Sequence, residues 1–175
     1  GGMSSGLVIA ALIAHLFART GDAWLFVGMG ESGLLVLYLF AGIVMAVGLF
    51  CVFLEIGRKL RFLNVLLRPH SSWMTRETYV VAVFYPALLA DLIWPNMVLH
   101  VVIALAAAAF LYSQGRILHA GRGIPAWRVD AMPSMLVATG LFEGSGWLAI
   151  AAAVLRGTEE TQNVAAVLLL VLALE

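Results

Sequence analysis

Long apolar runs alternate with short polar connections along this chain, and that pattern lays out its elements before any motif is considered. Apolar stretches at about 2–18, 33–54, 78–94, 97–114 and 132–155 each read as a helix, and the run from Asn163 to Leu174 reads as part of another. Runs of about 20 apolar residues suit a hydrocarbon core of about 30 Å at about 1.5 Å of helical rise per residue. The expected fold is all-α, an integral membrane helical bundle of about five transmembrane helices plus part of a sixth. Trp94-Pro95-Asn96 separates the third helix from the fourth, because proline and the residue before it interrupt helical geometry. Gly123 and Pro125 punctuate the connection before the fifth. The first run begins in Gly1-Gly2-Met3-Ser4-Ser5-Gly6 without the basic segment or cleavage site of a signal peptide. The last run is too short to cross a bilayer. The expectation is a single transmembrane domain over 1–175, cut within its first and its sixth helix.

Composition agrees with that pattern. Hydrophobic residues make up 63% of the chain and charged residues 11%, against about a quarter charged in ordinary soluble domains. The lipid bilayer is the first partner implied, and no basic stripe points to nucleic acid. A single cysteine, Cys51, excludes an internal disulfide and also a self-held iron–sulfur cluster, which usually takes four cysteines. Metal centres for any electron transfer would belong to a partner.

Charge is distributed unevenly although its total is zero. Half of all Lys and Arg lie between Leu54 and Thr78, and Arg116, Arg122 and Arg128 lie in the connection 115–130. Both connections fall on one side of the bundle, whereas the opposite loops carry Arg19 and Arg156. The positive-inside rule makes loops 55–77 and 115–130 cytoplasmic in a multi-pass membrane protein. A rival explanation is that the basic loops dock an acidic partner.

Three glutamates are candidates for proton chemistry. Glu55 closes the second helix and Glu77 opens the third, so antiparallel packing brings both acids to one membrane edge, with Arg58 and Arg61 nearby. Oxidising a quinol releases two protons with two electrons, so its site needs a proton acceptor and a donor for the resulting carbonyl. Burial and a neighbouring arginine push a carboxylate in opposite directions, and together they can poise it. The plain alternative is helix-end electrostatics, with Thr75 as N-cap before Glu77 and Glu55 paired to Arg58 or Lys59. Glu143 lies nearly mid-helix, where an ionisable group is expensive and marks a functional site by default. A protonated glutamate bonded to a neighbouring helix is its plain reading. Arg61 and Asn64 share a face if the stretch after helix two stays helical. The small residues from Gly1 to Gly6 form a face that admits a helix or a flat ligand, with Gly2 the candidate for ligand contact. Asp91 reads as an interface residue. His15 and His100 fall in the outer half of the bundle, His70 and His119 on the basic side, so bis-histidine haem sites are conceivable. The loop positions of His70 and His119 suit axial ligands poorly.

Leu54-Glu-Ile-Gly-Arg-Lys-Leu-Arg-Phe-Leu-Asn64 and Ser71-Ser-Trp-Met-Thr-Arg-Glu77 resemble the signature after the second helix in membrane-anchor subunits of dimethyl sulfoxide reductase-type molybdoenzymes, within the wider superfamily of NrfD and polysulfide reductase anchors. Gly1-Gly2, the segments Ser113-Gln-Gly-Arg116 and Ile124-Pro-Ala-Trp-Arg128, and the Gly140–Gly146 region around Glu143 fit the same pattern. The resemblance covers nearly the whole chain and implies a fragment of an eight-helix anchor. It also implies a haem-free subunit that binds menaquinol or ubiquinol and exchanges electrons with a four-cluster iron–sulfur subunit, itself joined to a molybdopterin catalytic subunit. By position Glu77 corresponds to a glutamate implicated in quinol oxidation, and Arg61 and Asn64 to the loop motif. Glu55 stands where the dimethyl sulfoxide reductase anchors have histidine and the NrfD type has an acid, which leaves the proton acceptor and the terminal substrate open. The functional expectation is a quinol-oxidising or quinol-reducing subunit of an oxidoreductase complex. The alternatives are a haem b anchor and a non-redox anchor or solute carrier.

Overall fold

The computed structural model describes residues 1–20, 31–55, 72–121 and 123–156, and among these it is entirely helical. Helix α1 spans Gly2–Thr20, α2 Glu31–Glu55, α3 Trp73–Ile93, α4 Met97–Ala120 and α5 Met132–Arg156, with a short 3-10 turn at Pro125–Arg128. Among the described residues, three stretches are long and apolar enough to cross a membrane: Gly33–Leu54, Met97–Ala120 and Met132–Ala152. Gly2–Phe17 is apolar but shorter. The further run at 163–174 lies outside the described residues.

Two helix boundaries differ from the sequence pattern in a way that matters. Helix α3 begins at Trp73 rather than near Thr78, so Glu77 stands inside its second turn. The N-cap is Ser72, in extended conformation and without a side-chain cap bond, and Thr75 is a buried helical residue instead of the expected cap. Helix α4 runs on to Ala120, past Gln114, which draws Arg116 and His119 out of the expected loop. Gln114, Arg116 and Leu118 are all good helix formers, so the helix continues past the apolar-to-polar boundary of the sequence. The α3–α4 turn is where the sequence predicted it. Asn96 is the N-cap of α4, its side chain accepting from the Val98 N–H at 3.0 Å.

Small residues decide how α1 meets α5, the most extensive contact in the bundle. A Cβ added at Gly6 would run into the Gly140 carbonyl, and one at Gly144 into the backbone of Gly6 and Leu7. Only glycine lets the two backbones approach so closely, the arrangement expected where van der Waals contact rather than water expulsion holds helices together. The glycine-rich face of α1 is thus filled by a helix over Gly6.

Helices α3 and α4 form an antiparallel hairpin about Pro95 and Asn96. Residues equally distant from the turn face each other, and two of these levels are polar: Asp91 with His100 near the turn, and Glu77 with Gln114 at the open end. At about 1.5 Å per residue the two levels are about 21 Å apart. Between them lie the buried apolar side chains of Phe84, Leu88, Ile103 and Ala107. Helix α2 runs antiparallel to α3, with the Tyr85 hydroxyl donating to the Gly42 carbonyl at 2.9 Å. The core carries Leu7, Val8, Tyr38, Met45, Phe84 and Phe110, while Val36, Ile43, Val47, Phe50, Leu89 and Phe142 are exposed. An apolar exterior over buried Ser4, Ser5, Asp91 and His100 is the surface of a protein solvated by lipid.

Candidate functional site

At the open end of the α3–α4 hairpin, polar side chains from three helices meet the start of α1. Gln114 Nε2 donates to Glu77 Oε1 at 3.2 Å, joining the start of α3 to the last turns of α4. Glu77 is half-buried there. The start of α1 lies against the same pair, since a Cβ on Gly1 would stand 2.7 Å from the Gln114 amide. From Gly2 the corresponding position is 3.9 Å from Glu143 Oε2, and 3.8 Å from both Leu111 and Gly140. Two carboxylates from α3 and α5 therefore flank one amide and a strip of backbone bare of side chains.

Of the residues singled out in the sequence, Glu77, Glu143 and Gly2 are brought together here. Glu55 ends α2, and the register of the α2–α3 contact, Gly42 beside Tyr85 and Leu88, puts the end of α2 level with the first turn of α3. Helix α2 also passes Gly1, with a Cβ on Gly48 falling 3.9 Å from the Gly1 nitrogen. The side chain of Glu55 and the residues Arg58, Arg61, Asn64 and His70 lie outside the described residues.

Positive charge at this edge is arranged around an indole. The Arg76 guanidinium lies 4.3 Å and the Arg116 guanidinium 4.9 Å from the centroid of the Trp73 ring, and Tyr112 meets that ring edge-on at 5.9 Å. Arginine over indole keeps its charge while lying flat on an apolar surface, a suitable arrangement where a bundle leaves the bilayer. Further out, His119 Nε2 is 3.6 Å from Asp130 Oδ1.

At the second polar level, beside the turn, Asp91 is fully buried, with Oδ1 3.2 Å from His100 Nε2 and accepting from the Asn96 N–H at 3.3 Å. His100 also meets His15 of α1 and Tyr38 of α2 edge-on, with ring centroids at 5.9 and 5.8 Å. His15 and His100 thus meet at the turn end of the α3–α4 hairpin. Their rings touch directly and Asp91 engages Nε2 of one, so a haem-bound form would require the rings to part and that contact to break.

Gln114, Trp73 and Arg116 were not singled out as functional in the sequence. The signal for Gln114 was available, because fixing the turn at Pro95–Asn96 fixes which residue of α4 stands opposite Glu77. No group of His, Cys, Asp and Glu suited to a metal ion occurs among the described residues. No family model, curated protein or solved structure matches the chain.

Proposed function

We propose that this chain is part of a multi-pass membrane anchor in which α1 to α5 all cross the bilayer, and that the Glu77 edge binds a membrane quinol, menaquinol or ubiquinol. The observation that carries the reading is the pairing of half-buried Glu77 with Gln114 beside Gly2 and Glu143. A quinol needs a carboxylate to receive a hydroxyl proton, an amide donor for the oxygen that becomes a carbonyl, and room for a flat ring. Glu77 and Gln114 are of the first two kinds, while the positions over Gly1 and Gly2 are taken by Gln114, Leu111 and Gly140, so the ring would lie beside them rather than on them.

In this reading Glu77 takes one of the two quinol protons and Glu143 or Glu55 the other. The two electrons leave through the basic edge to an iron–sulfur partner subunit, whose clusters accept them singly, and reach a molybdopterin subunit beyond it. The resemblance of the 54–77 signature to molybdoenzyme anchors supports that assignment of partners. The Arg76–Trp73–Arg116 stack supports a charged docking rim at the same edge. The reverse reaction, quinone reduction, uses the same groups with the proton transfers reversed.

Binding of a short-chain quinol such as menadiol to the protein in lipid nanodiscs tests the reading. Saturable binding that falls at least tenfold in the Glu77→Gln and Gln114→Leu variants is expected; equal binding by wild type and both variants contradicts it. The contact of His15 with His100 keeps one other reading in view, a haem b anchor. An optical spectrum of the reduced full-length protein decides between them, since a haem with two histidine ligands gives sharp visible bands.

A further inference from the structure

Asp91, His100, Tyr38 and His15 converge from α3, α4, α2 and α1 at the end of the bundle away from Glu77. Three of these side chains are at least nine-tenths buried, Asp91 and Tyr38 at 0% exposure and His100 at 4%. Asp91 Oδ2, His100 Nδ1 and the Tyr38 hydroxyl have no hydrogen-bond partner among the described residues. A staple for the α3–α4 turn needs only Asp91 Oδ1, which already serves both His100 and the Asn96 N–H. Three further polar atoms left without partners in an apolar bundle oppose folding, and well-packed apolar side chains of similar volume would serve packing better. Ionisable groups that persist in such surroundings are where membrane proteins relay protons.

We propose that Asp91 and His100 form a buried proton-binding site, completed by Tyr38 and linked towards the surface by His15. In its resting form the pair holds one proton between Asp91 Oδ1 and His100 Nε2. Carboxylate with imidazolium and carboxylic acid with imidazole are two placements of that proton, and both leave the pair neutral. Uptake of one more proton from water gives a carboxylic acid beside an imidazolium, and its release restores the neutral pair. The free Oδ2 of Asp91 is the position that receives the exchanging proton. His15 is half-buried and supplies the step outward. Among the described residues, the titratable groups around the pair are His15 from α1 and Tyr38 from α2. Glu143 of α5 stands beside Gly2, at the opposite end of α1 from His15. Phe84, Leu88, Ile103 and Ala107 separate this site from Glu77, so it exchanges with its own side of the bundle. The inference does not depend on the quinol reading.

Infrared difference spectroscopy on the full-length protein in lipid bilayers, between acid and alkaline pH, tests it. A carbonyl stretch of a buried carboxylic acid is expected to grow as pH falls in wild type, to be lost in Asp91→Asn and to be retained in Glu77→Gln. Removing the imidazole in His100→Gln is expected to move the frequency of that band, since the acid loses the partner that faces its Oδ1. Should Asp91→Asn fail to accumulate, His100→Gln and Tyr38→Phe decide the matter. A wild-type spectrum without such a band, one that Asp91→Asn leaves unaltered, or a band frequency unmoved by both His100→Gln and Tyr38→Phe overturns the proposal.

Discussion

Gln114 donates to Glu77 across 3.2 Å, and the bond ties the open end of the α3–α4 hairpin together as Asp91 and His100 tie its closed end. An amide held against a carboxylate at a lipid-facing edge has two consequences. It fixes the carboxylate's orientation, and it offers a second N–H to whatever lies beside it. A hydrogen bond to a charged group contributes about 1.5–3 kcal/mol. Gln114→Leu is therefore expected to weaken quinol binding by about tenfold to a hundredfold, read as a rise in the half-saturating quinol concentration.

The glycine contact between α1 and α5 predicts a sharp contrast among glycine substitutions. Gly6→Leu and Gly144→Leu thrust a side chain into facing backbone, and overpacking of that kind costs about 1–3 kcal/mol or more. Both variants are expected to lower the thermal midpoint in detergent and the yield from membranes. Gly123 has nothing within 4 Å of an added Cβ, so Gly123→Ala is expected to behave as wild type.

The bond from the Tyr85 hydroxyl to the Gly42 carbonyl joins α3 to α2 by one removable atom. Interhelical hydrogen bonds in membranes average about 0.6 kcal/mol. Tyr85→Phe keeps the ring and loses the donor. A loss of about that size is expected in reversible unfolding, and a loss several times greater would mean that Tyr85 holds more than this one bond.

Trp73 lies under two guanidinium groups, each contact being of a kind that contributes about 0.5–1 kcal/mol at exposed sites. Trp73→Leu is expected to destabilise the basic edge by about 1–2 kcal/mol. Trp73→Phe, which keeps a weaker aromatic face, should lose less. Thermal midpoints of the two variants in the same detergent check the order.

Much of the fold was legible in the pattern of apolar runs, because a bilayer sets both the length and the composition of what lies in it. The turn at Trp94-Pro95-Asn96 was legible because proline leaves the chain few alternatives. Helix ends beside charged residues were not. Arg76, Glu77, Arg116 and His119 looked like loop, yet α3 begins before the first two and α4 continues past the last two, since polar side chains at a membrane edge reach water from within a helix. The site was readable in part for the same reason. Glu77 and Glu143 stand out as acids in apolar surroundings, whereas Gln114 acquires meaning only once the hairpin register sets it opposite Glu77. Asp91 shows the reverse difficulty: its place near the end of an apolar run suggests exposure, and only the turn that folds His100 back over it buries it.

Quinol-dependent electron transfer by the complete membrane complex, measured for wild type and Glu77→Gln at matched assembly, tests the central claim most directly. General acid–base groups contribute about a hundredfold to ten-thousandfold, so a fall of at least about a hundredfold is expected with the partner subunits still bound. Unchanged turnover in the Glu77→Gln complex would contradict the account.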